Sequence, residues 1–330
     1  MRSMAGAVRD RSSGIDTLRG LLVVGVILGH FFEITRAGSF AAWVGTGVRM
    51  PLFIGLSGYL FNLDRARAAP VVALLRRYYP RLILPWIVAC VVHVTVTRDL
   101  TFGTPLSVIL WPPFHLWFVP VMMAFILAAT ATRWSPDAML LAAVPISIGA
   151  MYLLGVGHLP SGLYDWLPDR RFFIYPVYFF FGLWIARHRS CPSRQRVTVI
   201  VAAIGFLWWC SLYDSPGVAA EVAAELIACL PMIALLPVVA GWPIPLPMIA
   251  PIGRTSLFYY LWHPMVFALW RVCRADGVVL LALSLTTLVV LQRLIAGHAS
   301  LAGILGLATR RSGTTARSLP LNPSATGVAS

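Results

Sequence analysis

The sequence predicts an all-α integral membrane protein, a bundle of about ten transmembrane helices with both termini in the cytoplasm. Three observations carry this. Of 330 residues, 59% are hydrophobic and 12% charged, with a mean hydropathy of +0.80. A soluble domain is nearer a quarter charged, so this chain cannot cover its surface with polar groups, and its solvent is lipid. The apolar residues fall in blocks close to the roughly 20 residues a spanning helix needs. Finally, all 26 basic residues are arginine, and most lie in short segments between apolar blocks, where positive charge sets topology and meets lipid headgroups.

In chain order the spans are 17–36, 40–62, 82–97, 113–131, 138–157, 172–186, 197–213, 218–240, 255–271 and 277–296. Most loop arginines fall on the side of the termini, including Arg2, Arg65, Arg67, Arg76, Arg77, Arg81, Arg187 and Arg310. The opposite side collects Arg36, Arg98, Arg170, Arg171, Arg271 and Arg274. The positive-inside rule therefore makes the first side the cytoplasm. Residues 1–16 form a cytoplasmic N-terminal segment, 17–300 the transmembrane domain, and 301–330 a cytoplasmic tail too poor in apolar residues to fold. The first apolar stretch is too long for a signal peptide and is followed by no small-residue cleavage pattern. The longest outward loop, 158–171 (HLPSGLYDWLPDRR), is long enough to lie across the outer mouth of the bundle.

A net charge of +14 would suggest nucleic acid in a soluble protein. No soluble basic domain or recognition motif accompanies it here, so no nucleic-acid partner is expected. Of five cysteines, Cys90, Cys210 and Cys229 fall in apolar segments, and no CxxC or zinc-type spacing occurs. Neither a disulfide framework nor a metal site is expected.

The first span, IDTLRGLLVVGVILGHFFE over 15–33, raises the question of function. A charged residue at bilayer depth costs about 2.5–3.5 kcal/mol even on mild insertion scales. Arg19 and His30 are eleven residues apart, three turns plus about 20°, so they share one face about 16 Å apart along the axis. Asp16 stands three residues before Arg19 and Glu33 three after His30, each within helix-neighbour reach. Arg19 near the helix start can snorkel to the interface, or it can serve a site. His30 lies deeper; a neutral imidazole oriented by a carboxylate such as Glu33 is a general base near neutral pH.

Further along, Ser57-Gly58 lies inside the second span, where a small pair permits close helix packing. Arg76, Arg77 and Arg81 precede the third span, as topology signals or as guanidinium forks for phosphate. His115 and Trp117 open the fourth span, where tryptophan commonly anchors at an interface and could also stack on a sugar. His263 precedes Pro264, which removes a helix hydrogen bond; the imidazole either caps a freed carbonyl or lines a reaction path.

These stretches together resemble the membrane-bound acyltransferase-3 family, which includes surface-polysaccharide O-acetylases and fucose 4-O-acetylase-like proteins. The Arg-x10-His pattern of IDTLRGLLVVGVILGH is similar to the family's opening, and PLFIGLSGYLF to its Phe-x-x-x-Ser-Gly signature through Phe53, Ser57 and Gly58. RRYYPRLILPW resembles the basic segment before the third helix, FHLWFVPVMM the His-Leu-Trp-Phe element, and LFYYLWHP the Tyr-Leu-x-His-Pro element. The five occur in the family's order across 16–264. One departs: the family commonly has two arginines three residues apart, whereas Tyr78 stands three before Arg81 and Arg77 is one position off. The chain resembles the short, membrane-only form of the family.

The resemblance implies a multi-pass cell-membrane O-acyltransferase moving an acyl group, acetyl in the first instance, from cytoplasmic acyl-coenzyme A to a hydroxyl of a carbohydrate or glycosylated small-molecule acceptor. His30, Arg19 and Glu33 would carry catalysis and Arg76, Arg77 and Arg81 would hold the donor. Ser57, His115, Trp117 and His263 would contact substrate, with no metal. A tunnel from the cytoplasmic face past Arg19 to His30, opening outward near His115, is expected. The alternative is a transporter or flippase for a lipid-linked glycan, since intramembrane ionisable residues also mark transport paths.

Overall fold

The computed structural model describes residues 12–36, 39–97, 105–155, 167–188, 195–242 and 246–307. Among them all regular structure is helical. Ten principal helices follow the ten apolar blocks: α1 (Ser13–Thr35), α2 (Phe40–Leu60), α3 (Val71–Thr97), α4 (Phe118–Ala131) and α5 (Pro136–Gly155), then α6 (Pro176–Arg187), α7 (Gln195–Ser211), α8 (Val218–Ala234), α9 (Ser256–Val272) and α10 (Gly277–Ala296). Six are long and apolar enough to cross a membrane: α1, α2, α3, α5, α10, and α8 with its continuation to Gly241; α4 and α7 are shorter apolar helices. The protein is a multi-pass membrane protein.

Several boundaries differ from the sequence reading, each for a local reason. The third span begins at Val71 rather than 82, so the basic segment belongs to the helix; it passes through a π-helical turn at Tyr79–Ile83 that accommodates Pro80. The sixth span is split into Arg171–Ile174 and α6 at Pro176, which has no amide hydrogen to continue the helical ladder. The helical chain also runs past the expected boundary at 300. A short helix at Ala299–Ile304 follows α10, Ala302 and Leu307 are buried, and the Trp262 indole donates to the Leu305 carbonyl at 3.0 Å. The expected tail therefore starts no earlier than 308. Residues 1–11, most of the 158–171 loop, Arg98 and 308–330 lie outside the described residues.

Backbone groups in lipid must be satisfied within the protein, and the intrahelical prolines show how. Pro51 in α2 leaves the Gly47 carbonyl without its helical donor; the Cys229 thiol of α8 donates to it at 3.3 Å. Just before α4, the Leu116 carbonyl accepts from the buried Trp86 indole of α3 at 2.8 Å. Helix ends are closed by arginine: Arg67 donates to the Ala129 carbonyl in the last turn of α4 and to the Thr132 and Trp134 carbonyls beyond it, and Arg271 to the Ile34 carbonyl of α1 at 2.8 Å. Cations at helix C-termini also complement the helix dipole.

Glycines set the closest helix contacts. α2 and α6 cross backbone to backbone: a Cβ at Gly182 would lie 2.9 Å from the Tyr59 amide nitrogen and one at Gly58 2.8 Å from the Phe179 carbonyl carbon. Gly58 is thus a packing residue. α1 runs beside α2 and α9 and packs on the short helix Ala250–Arg254. There Asp16, buried at the start of α1, accepts from Arg254 Nε at 3.1 Å. Gly182→Leu should destabilise the folded protein by about 1–3 kcal/mol, as overpacking does. The measurement is the thermal midpoint in detergent, and a midpoint equal to wild type would contradict this crossing.

Candidate active site

α1 and α2 build the centre of the site. Within α1, the i,i+3 spacing brings His30 Nδ1 to 2.8 Å from Glu33 Oε2. The carboxylate can only accept, so Nδ1 carries the hydrogen and Nε2 keeps its lone pair. From α2, Arg49 Nη2 donates to the other oxygen, Glu33 Oε1, at 3.4 Å. Arg49 reaches there because residue 29 is glycine: a Cβ at that position would run into the Arg49 guanidinium. Glu33 is half-exposed, whereas His30 and Arg49 are largely buried. Arg49 is the second support of Glu33.

Three more histidines gather at His30. Its ring centroid lies 5.1 Å from that of His263 and 6.0 Å from that of His115; His115 in turn lies 5.3 Å from His263 and 6.2 Å from His93. His263 Nδ1 donates to the Tyr259 carbonyl at 2.9 Å, and His115 Nε2 to the Leu261 carbonyl at 3.2 Å. Each therefore offers a lone pair on its other nitrogen, and His263 Nε2 and His115 Nδ1 are buried with no hydrogen-bond partner. Among the described residues no group of three or more His, Cys, Asp or Glu is placed to hold a metal ion.

The turn before α4 holds this cluster in place. Phe114 has a left-handed backbone (φ 49°), a conformation that costs a bulky residue on the order of 1–3 kcal/mol and persists only where its surroundings enforce it. Its ring lies 5.2 Å from His30 and stacks on His93 at 6.3 Å. The enforcement is visible on both sides: the Trp86 indole donates to the Leu116 carbonyl, and the Tyr260 hydroxyl of α9 donates to the His115 carbonyl. Trp117 is buried rather than lying at an interface. Its ring stacks on Tyr175 at 5.3 Å and meets the Arg171 guanidinium at 4.7 Å.

Three cavities follow one another along the bundle. The first, about 390 Å³, is lined by His30, Glu33, Arg49, Phe114, Trp117, Arg170, Arg171, Glu221 and Glu225. Glu225, in the apolar α8, accepts from the Tyr178 hydroxyl at 2.7 Å. The second cavity, about 400 Å³, is lined by Arg19, Ser57, Tyr78, Arg81 and Phe118. The third, about 550 Å³, is almost wholly basic: Arg65, Arg76, Arg77 and Arg81. Arg81 belongs to the second and third, Tyr260 to the first and second.

The sequence-predicted residues thus divide. His30 and Glu33 meet with Trp117 at the first cavity; His115 and His263 stand behind His30 and do not line it. Arg19 lies in the second cavity with Ser57 and Arg81, away from His30, so the shared face of α1 serves two spaces. Ser57 Oγ donates to the Phe53 carbonyl at 2.9 Å. Arg76 and Arg77 both line the third cavity with Arg81, so either or both partner it. Missed were Arg49, Tyr260, Glu221 and Glu225. Arg49 and Glu225 are ionisable groups inside apolar spans, the same signal that picked out His30.

A comparison with protein families bears on this arrangement. The acyltransferase-3 family, described as an acyltransferase domain, matches residues 12–296, which contain every residue of the three cavities. No curated protein and no solved structure matches the chain. The match covers most of the sequence and agrees with the five motifs in order: the chain belongs to the acyltransferase-3 family and is a membrane acyltransferase.

Proposed function

We propose that the protein is an O-acyltransferase that takes an acyl group, acetyl in the first instance, from cytoplasmic acyl-coenzyme A and delivers it to a hydroxyl of a sugar or glycosylated acceptor. The observation that carries this reading is His30. Its Nδ1 hydrogen is committed to Glu33, and it lies in the wall of a cavity rich in aromatic and charged side chains. The base in a nucleophile-activating pair is oriented in this way by a third group.

In the proposed reaction the acceptor hydroxyl enters the first cavity and gives its proton to His30 Nε2. The alkoxide oxygen bonds to the thioester carbonyl carbon, and the carbon–sulfur bond then breaks. The coenzyme A thiolate leaves and recovers the proton from His30. Glu33 stabilises the imidazolium in the interval, and Arg49 holds Glu33. An acyl-His intermediate would use the same Nε2 as nucleophile. Saccharide hydroxyls and apolar ring faces suit a cavity that offers carboxylates, guanidinium groups and the Trp117–Tyr175 stack. The basic third cavity suits donor phosphates, for which guanidinium forks are the natural partners. Arg19, beside Ser57 and Arg81, supports a role in holding the donor rather than one at the reacting carbon. The span from Arg19 to His30, about 16 Å along α1, is within reach of an extended pantetheine arm.

The purified protein should therefore turn over acetyl-coenzyme A in the presence of a saccharide acceptor. Acceptor movement across the membrane with no thiol release would instead mark a transporter. His30→Ala should lower kcat by about 10²–10⁴-fold, the usual weight of a general base, in protein that elutes as a folded species. Glu33→Gln keeps an acceptor oxygen and loses the charge, and should lower kcat about tenfold or more with the donor KM unchanged. Near-normal kcat in either variant would overturn the mechanism. Arg81→Ala should raise KM for acetyl-coenzyme A about 10- to 100-fold, the loss of a charge-assisted contact, and leave the acceptor KM within about twofold. An unchanged donor KM would return Arg81 to a topological role.

A further inference from the structure

The cavity that holds His30 and the one that holds Arg19 and Arg81 have a single lining residue in common, Tyr260. The ring is buried, and it is wedged between the two spaces. Its centroid lies 5.4 Å from Phe118, which lines the Arg19 cavity, and 5.6 Å from His115, which stands behind His30. The hydroxyl is tied to the His115 carbonyl. That carbonyl belongs to the strained turn whose other members, Phe114 and Trp117, line the His30 cavity. Tyr260 thus stands where the space beside Arg19 meets the space beside His30. Anything that presses on Phe114 or Trp117 acts on the turn that anchors it.

We propose that Tyr260 is the partition between the donor and acceptor cavities, keeping acceptor-side water off the thioester until an acceptor occupies the Phe114–Trp117 turn. Its role in transfer rests on the acyltransferase reading; the partition itself does not. The chemistry makes such a wall necessary. His30, placed to take a proton from a sugar hydroxyl, is equally placed to take one from water. Water would then add to the thioester carbonyl, the carbon–sulfur bond would break, and a carboxylate and free coenzyme A would be released without product. Excluding water from reactive groups is a recognised function of closing elements in active sites. A tyrosine does this with a ring that fills the passage and a hydroxyl that pins it.

Two measurements test the proposal. The first reads accessibility and needs no activity. Ser57→Cys places a thiol in the Arg19 cavity, and a membrane-impermeant maleimide is applied to sealed vesicles of either orientation, with the Ser57 protein as the background for the native cysteines. With Tyr260 intact, Cys labelling is expected from one face only. With Tyr260→Ala added it is expected from both, and Tyr260→Phe, which keeps the ring, controls for folding and should remain close to one-sided. The second measurement is release of coenzyme A from acetyl-coenzyme A without acceptor. Tyr260→Ala should raise the ratio of hydrolysis to transfer about tenfold or more, with Tyr260→Phe in between. One-sided labelling and an unchanged ratio in a folded Tyr260→Ala protein overturn the partition while leaving the acyltransferase reading intact. Two-sided labelling in a protein whose wild type turns over no acyl-coenzyme A upholds the partition and removes the acyltransferase reading.

Discussion

The hydrogen bond from His30 Nδ1 to Glu33 decides what the rest of the site can do. An imidazole in an apolar bundle needs at least one nitrogen satisfied, because an unpaired polar group costs most where no water can reach it. Which nitrogen is taken determines which remains chemically available. At His30 the carboxylate takes the hydrogen on Nδ1, so the basic lone pair is on Nε2. At His263 and His115 a backbone carbonyl of α9 plays the same part. Three rings are thus fixed in tautomer, two by neighbours three or four residues away and one by a carbonyl of another helix. Local spacing fixes the tautomers of His30 and His263, and the packing of separate helices brings the cluster together.

That packing is dominated by the rule that lipid supplies no hydrogen bonds. The Leu116 carbonyl precedes α4 and is taken up by Trp86; the adjacent His115 carbonyl accepts from Tyr260. These two bonds clamp one short turn between α3 and α9, and the clamp is what allows Phe114 to remain in a backbone conformation it would not choose. The turn then sets the positions of Phe114 against His30 and of Trp117 against Tyr175. Backbone accounting and site geometry are one problem in this region.

Much of this was legible in the chain. The ten apolar blocks became ten helices, six of them long and apolar enough to cross a bilayer, because length and hydropathy restrict what can sit there. The pairing of His30 with Glu33 followed from i,i+3 spacing. The clustering of Arg76, Arg77 and Arg81 followed from their proximity in sequence. Other features depended on crossings that no spacing encodes. Arg49 and Gly29 belong to different helices, and their fit appears only once α1 and α2 are side by side. Tyr260 carries no charge; the Tyr-Leu-x-His-Pro element sets it apart from Tyr259, which bonds to Gln292, but that element says nothing of its place between two cavities. The placement of Arg19 and His30 in separate cavities was likewise hidden, because a shared helix face says nothing about a ring from α9 inserted between them.

The π-helical turn at Tyr79–Ile83 has a consequence for how kinship is recognised in such chains. An α-helix advances about 100° per residue, so one extra residue normally swings everything after it onto a different face. A π-turn absorbs that residue locally, which is one reason such bulges are found at functional sites. In this chain Tyr78 stands three residues before Arg81 and Arg77 four, yet Arg76, Arg77 and Arg81 share one cavity wall. A pattern written as fixed intervals would score this segment as a departure from its kin. The helix geometry gathers the three arginines on one wall all the same.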